Sequence, residues 1–159
     1  MYPGMSVEDL RQARLLSRLI DGFYNAIAWQ QVVRSLIVHD ERFLPDFLVW
    51  LEELEVLEQP LSLEKRGALL YEFCESRYPA YLTDISVAWI VAGIPFAKEP
   101  GGRLKPWNGG VPTGITVLAG EYTEVMRMYY LPDSVKEYWF GFDRGRSASK
   151  PLFVCCKEV

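Results

Sequence analysis

The first half of the chain follows a helical pattern, in which apolar residues recur every three or four positions. A capping box at Ser6 and Asp9 predicts the start of a first helix, because each side chain can bond a backbone N–H group of the other residue. The same periodicity predicts a second helix at about 26–38. A third is predicted to begin near Pro45, a tolerated first-turn position, and to end before Pro60.

Two further helices are expected before residue 96. Ser62 predicts the cap of a fourth helix, since its hydroxyl can accept a bond from a free N–H group of the first turn. A fifth is predicted from about Thr83 to Ala92. Gly93 and Pro95 follow it, and together they are typical of a helix end.

The period changes after residue 114 from about 3.6 to 2, which indicates strands. Four short strands are predicted, at 115–118, 124–130, 137–143 and 152–156. We therefore expect an α+β fold, with an N-terminal bundle of about five helices followed by a small antiparallel β-meander. Its parts would be a bundle at 1–96, a Gly/Pro-rich loop at 97–114 and a sheet at 115–159 packed on the bundle, in one domain.

The loop at 97–114 contains five glycines and three prolines, and we expect it to lack regular structure. A loop of this length in a compact domain is usually functional or mobile, and the sequence leaves its role open.

Composition narrows the class of protein. The chain has 159 residues, is 50% hydrophobic and carries a net charge of −4, which is typical of a globular protein and disfavours nucleic-acid binding. The charge is uneven, because residues 1–97 carry 14 acidic and 8 basic side chains whereas residues 98–159 carry 7 and 9. No apolar run is long enough to suggest a membrane span, and no signal peptide is recognisable.

The three cysteines suit a reducing compartment, and we expect a cytoplasmic protein. Cys155 and Cys156 are adjacent, which predicts that they lie on opposite faces of a strand. His39 is the only histidine and no CxxC motif occurs, so the sequence predicts neither a metal site nor a catalytic residue. His39 is expected at a helix end, where the helix dipole favours it.

Two regions carry candidates for ligand or partner contacts. In the loop, Arg103 and Lys105 would suit an anion, although the phosphate-binding motifs GxxxxGK[ST] and GxGxxG are absent. In the tail, basic residues adjoin aromatic ones, a combination enriched at interfaces. The full set of candidates is Arg103, Lys105, Trp107, Asn108, Trp139, Arg144 and Arg146.

One family resembles this chain. MSVEDLRQARLLSRLIDGFYN, residues 5–25, is similar to the stretch that follows the barrel in cobalamin (B12)-binding radical SAM proteins, where a helix ends in an aromatic-aromatic-Asn group. LPDFLVWLEEL, residues 44–54, and LLYEF, residues 69–73, resemble later helices of the uncharacterised C-terminal domain of those proteins. The resemblance covers about residues 2–93 and consists of helical pattern, whereas the strand-rich tail matches less clearly.

The resemblance implies a longer parent protein, in which a cobalamin-binding domain and a radical SAM barrel precede this segment. That parent would use a [4Fe-4S] cluster, S-adenosylmethionine and cobalamin. The cluster motif CxxxCxxC is absent here, so no cofactor and no catalytic residue is assigned to this chain.

The expected function is that of a non-catalytic accessory domain of such an enzyme. It would shape substrate access or partner contacts, with the barrel of the same polypeptide as its partner. Two alternatives stay open: a stand-alone protein-interaction module with the tail as docking surface, or a small-molecule-binding domain. The second would have a pocket between bundle and sheet, lined by Trp89, Tyr130 or Trp139.

Overall fold

The computed structural model describes Gly4, residues 6–144 and residues 150–159. Contacts between backbone positions divide the chain into two compact units, Met1–Tyr81 and Leu82–Val159. The first contains the first four α-helices. The second contains the fifth helix and all the strands of the described residues, so the fifth helix belongs to the same compact unit as the sheet.

The first unit is a helical unit with an aromatic core. Its helices are α1 (Val7–Leu19), α2 (Gln30–His39), α3 (Phe43–Glu53) and α4 (Leu63–Arg77). The predicted capping box is present, because the Ser6 hydroxyl accepts from Asp9 N–H and the Asp9 carboxylate accepts from Ser6 N–H, each at 3.0 Å. Ser62 caps α4 in the predicted way, and His39 is the last residue of α2.

Helix boundaries in this unit differ from the prediction at two places, the end of α1 and the start of α2, whereas α3 agrees with it. Helix α1 runs directly into a π-helical turn, Ile20–Tyr24, which a repeat of 3.6 residues cannot reveal. Helix α2 begins four residues later than predicted, at Gln30. Helix α3 begins at Phe43, which places Pro45 still in the first turn, and it ends well before Pro60 because Glu55 adopts a positive φ of 57°.

The second unit consists of a helix and a five-stranded antiparallel sheet. Helix α5 is Leu82–Val91, followed by a 3₁₀ turn at Phe96–Lys98. The strands are β1 (Lys105–Trp107), β2 (Thr116–Gly120), β3 (Met126–Leu131), β4 (Lys136–Asp143) and β5 (Phe153–Glu158). The predicted α+β class, with helices before antiparallel strands, is therefore confirmed.

Strand order departs from a simple meander. The order is β1-β3-β4-β5-β2, so only β3, β4 and β5 are neighbours in both sequence and space. The expectation of no regular structure at 97–114 is wrong, because β1 lies inside this segment and pairs with β3. Strand pairing supplies long-range bonds that offset the weak local preference of a Gly- and Pro-rich segment.

Both faces of the sheet are apolar. One face packs against α5, and Ile90 shares a cluster there with Phe140, Phe142 and Cys156. The opposite face carries Cys155 in a second cluster, whose buried members are Met126, Met128, Trp139, Phe153 and Cys155. Cys155 and Cys156 thus lie on opposite faces of β5, as the sequence predicts.

None of the helices among the described residues combines the length and the apolar character that crossing a membrane requires.

Candidate functional site

The predicted site residues of the loop and tail all lie in the second unit, so the site is built from its sheet. Trp107, at the end of β1, is half-buried rather than exposed. Its ring lies 5.2 Å from the Tyr130 ring and 5.7 Å from the Trp139 ring, and those two rings lie 5.2 Å apart. Strands β1, β3 and β4 thereby bring together an aromatic cluster of Trp107, Tyr130 and Trp139. Each ring contacts the other two at a distance that is favourable for aromatic pairs.

The polar edges of the aromatic cluster are mostly bonded within the protein. Trp107 donates its indole N–H to the Gly110 carbonyl at 2.6 Å. Tyr130 donates its hydroxyl to a Glu137 carboxylate oxygen at 2.6 Å, and this bond raises the pKa of Tyr130 to about 12. The buried indole N–H of Trp139 has no acceptor among the described residues. The cluster thus stabilises the sheet, and its tyrosine stays protonated at neutral pH.

Arg103 belongs to a polar network within the second unit. Its guanidinium donates to the Thr83 hydroxyl at 2.8 Å and to the Pro132 carbonyl at 3.2 Å, and it lies 3.8 Å from the Asp133 carboxylate. Burial disfavours the charged form of Asp133, but bonds from the Thr83 hydroxyl and from backbone N–H groups outweigh it and lower the pKa of Asp133. Arg103 thus ties the loop to α5 and to the β3–β4 turn.

Glu99 is a buried carboxylate that the sequence analysis did not single out. It accepts bonds from the Ser86 hydroxyl at 2.5 Å and from the N–H groups of Gly101 and Gly102 at 2.7 and 2.8 Å. These three donors satisfy the charge and fasten the start of the Gly-rich loop to α5. Glu99 thus has a structural role, and the glycines two and three positions after it, Gly101 and Gly102, are the signal in the sequence that could have indicated it.

The remaining predicted residues are separate from this network. Lys105, Asn108 and Arg144 are exposed. Arg146 lies outside the described residues. Trp89 is buried in α5 and donates its indole N–H to the Pro95 carbonyl at 3.1 Å. The structure therefore brings Trp107 and Trp139 together, whereas the basic candidates that it describes, Arg103, Lys105 and Arg144, share no contact with one another that it shows.

The two edges of the sheet differ sharply in chemistry. Edge strand β1 has three residues, of which Lys105 is charged and Pro106 has no N–H group to donate. Both features block the addition of another strand. Edge strand β2 has five residues, TVLAG, all exposed and none charged.

The outer side of β2 has no strand partner in the part of the chain that the structure describes. Within the described residues its backbone pairs only with β5, and a bulge between Val117 and Ala119 interrupts that pairing. Val117 and Leu118 each expose about half of their surface, 53% and 52%. The sequence analysis predicted a strand here but missed that it is an edge, because strand order is not encoded in local alternation.

The chain was compared with protein-family models, with curated proteins and with solved structures. None of the three comparisons gives a match. The relation to cobalamin-binding radical SAM proteins therefore stays a prediction.

Proposed function

We propose that the chain is a non-catalytic protein-interaction module, and that its docking element is the open edge of β2. The partner contributes an extended strand, which adds to the sheet by backbone hydrogen bonds. The occupant to which we commit is β2 of a second copy of this chain. The observation that carries the proposal is the contrast between a blocked edge at β1 and an open, uncharged edge at β2.

Self-pairing follows from the chemistry of β2. An antiparallel pair of identical strands places TVLAG opposite itself, so that no charge faces a like charge across the two-fold axis. Half-exposed Val117 and Leu118 gain burial when the strands meet. Because β1 is blocked, the association ends at a dimer and does not continue into a fibre.

The dimer is expected to be weak. Five residues bury much less than the roughly 1,600 Å² of a standard interface, and the bulge shortens the run that can pair. A dissociation constant of about 10 to 1,000 µM corresponds to such a contact.

Sedimentation equilibrium of the full chain between about 10 µM and 1 mM tests the proposal. We expect a reversible monomer–dimer equilibrium that the double substitution Val117→Lys, Leu118→Lys abolishes, because two lysines on each edge would repel across the axis. Both positions are exposed, so the variant should keep the native circular dichroism spectrum. Val135→Lys is the matched control, since Val135 is 70% exposed but lies between β3 and β4, away from the edge.

Two results would overturn the proposal. One is a wild-type chain that stays monomeric over the whole concentration range. The other is a dimer that persists unchanged in the double lysine variant.

The accessory-domain function remains a second proposal. Its support is the similarity of residues 5–25, 44–54 and 69–73 to the domain that follows the barrel in cobalamin-binding radical SAM proteins. In that setting the barrel of the same polypeptide would be the partner, and the parent would carry the [4Fe-4S] cluster, S-adenosylmethionine and cobalamin. Sequencing the gene upstream of this segment tests it: an in-frame CxxxCxxC barrel is expected, and a different upstream domain would exclude it.

A further inference from the structure

The first unit contains a cavity of about 300 Å³ that the interaction proposal does not use. It lies where the end of α1, the π-helical turn, the segment after α3 and the start of α4 meet. Its walls include Arg18, Asp21, Gly22, Phe23, Leu61 and Arg66. This volume is at the lower end of the range for small-molecule sites, and most of the lining is apolar.

The π-helical turn shapes one wall of the cavity. Its hydrogen bond joins residues five positions apart, from Asn25 N–H to the Ile20 carbonyl at 2.8 Å, whereas an α-helical bond joins residues four apart. Such turns are rare and often occur at functional sites. Gly22 in this turn lies beside the Arg66 side chain, since a Cβ atom there would lie 3.4 Å from Nε of Arg66, which is an ordinary contact distance.

The charge of the cavity is opposite to that of its unit. Residues 1–81 carry 13 acidic and 8 basic side chains, yet the lining has two arginines and one carboxylate. Arg18 donates one N–H to the Leu57 carbonyl at 2.5 Å and is thereby held at the rim. Asp21, the one carboxylate of the lining, accepts a bond from the Asn25 amide at 3.3 Å.

Arg66 is the arginine that is available to a ligand. It is half-buried, and within the described residues its guanidinium has neither an ion pair nor a hydrogen bond. A guanidinium has five N–H donors in a planar fork that matches a carboxylate. An anion that enters the cavity can therefore make charge-assisted hydrogen bonds to Arg66, and these are stronger than bonds between neutral groups.

We propose that this cavity binds a small organic carboxylate. The carboxylate is held by the fork of Arg66 with help from Arg18, and the apolar body of the ligand lies against Phe23 and Leu61. The mostly apolar lining suits a carboxylate with an apolar body better than inorganic phosphate, which has no apolar part to bury. This inference is independent of strand pairing at β2, because the two sites lie in different units.

Nuclear magnetic resonance titration of the ¹⁵N-labelled full chain with benzoate tests the proposal, with inorganic phosphate as the second probe. We expect benzoate to shift the amide signals of Gly22 and Leu61 in a saturable way and to bind more tightly than phosphate. Arg66→Gln should raise the dissociation constant for benzoate at least tenfold, since a bond to a charged group contributes about 1.5–3 kcal/mol. Lys65→Gln, an exposed cation on the same helix, should leave it unchanged.

Gly22→Ala provides a second variant that keeps both arginines. Its methyl group would come into ordinary contact with Arg66, so it should change benzoate binding much less than Arg66→Gln does, while the fold, followed by circular dichroism, is retained. The proposal is overturned if benzoate causes no saturable shift, if phosphate binds more tightly than benzoate, or if Arg66→Gln binds benzoate as the wild type does.

Discussion

Gly120 shows how a single residue limits the sheet. It ends β2 with a φ of 70°, a backbone conformation that residues with a side chain rarely adopt. A Cβ atom at this position would overlap the carbonyl oxygen of Leu152, just before β5. The close approach of these two chain segments therefore requires glycine.

We predict that Gly120→Ala lowers the free energy of unfolding by about 3 kcal/mol or more, because left-handed strain and overlap with backbone add. Urea denaturation measures the loss. Gly110→Ala is the matched control, since Gly110 has a φ of 73° but open space around it, and its cost should be only about 1–2 kcal/mol. Equal losses in the two variants would contradict the role assigned to the close approach.

The chemistry of a single residue can indicate that it makes a contact, but it does not identify the residue that it contacts. The sequence analysis named Trp107 as a candidate for a ligand or partner contact. Its actual partners, Tyr130 and Trp139, lie more than 20 positions further along the chain and become neighbours only through strand pairing. Arg103 illustrates the same limit, since its charge predicts an anionic partner but cannot tell that a carboxylate of the chain itself, Asp133, lies 3.8 Å away beside Thr83.

At the scale of elements, Glu99 links the Gly-rich loop to α5. Its carboxylate is 6% exposed and accepts three bonds, from Ser86, Gly101 and Gly102. The amide of glutamine has the same shape but would place an NH₂ donor against one of these donors.

We predict that Glu99→Gln lowers the free energy of unfolding by about 2 kcal/mol or more, since a buried donor loses its acceptor. Thermal and urea denaturation report the change. Glu124→Gln, at an exposed position before β3, should stay within about 0.5 kcal/mol of the wild type. A Glu99 variant as stable as the Glu124 variant would refute the anchoring role of this carboxylate.

Elements with strong local signals were predictable. Helices α1 and α4 carry their own caps at Ser6 and Ser62, so their starts follow from neighbouring residues. The π-helical turn and β1 have no such signal, because the first depends on one extra residue in a turn and the second on pairing with β3. The cavity beside the π-helical turn was consequently invisible in the sequence.

At the scale of the whole molecule, each compact unit contains buried thiols. Cys74 lies in the first unit, and Cys155 and Cys156 lie in the second. Burial raises the pKa of the Cys74 thiol to about 12. It is also the main reason why the pKa of the Cys155 thiol is raised to about 11. At pH 8 roughly one Cys155 in a thousand is therefore a thiolate, the reactive form.

We predict that none of the three thiols reacts appreciably with iodoacetamide in the native protein at pH 8, and that each reacts once its own unit unfolds in urea. Peptide mass spectrometry of the labelled protein assigns the modified positions. The denatured chain is the control, since all three thiols should react there at a similar rate. Rapid labelling of Cys155 in the native protein would contradict its burial.

Local periodicity was sufficient to predict the class of this fold, because a helix and a strand each impose their repeat on neighbouring residues. It also predicted that Cys155 and Cys156 face opposite sides of a strand. The pairing of β2 with β5, the open edge that results and the cavity around Arg66 arise from folding in three dimensions. Alternation states which way a side chain points along its own strand, whereas strand neighbours depend on contacts between residues far apart in the chain.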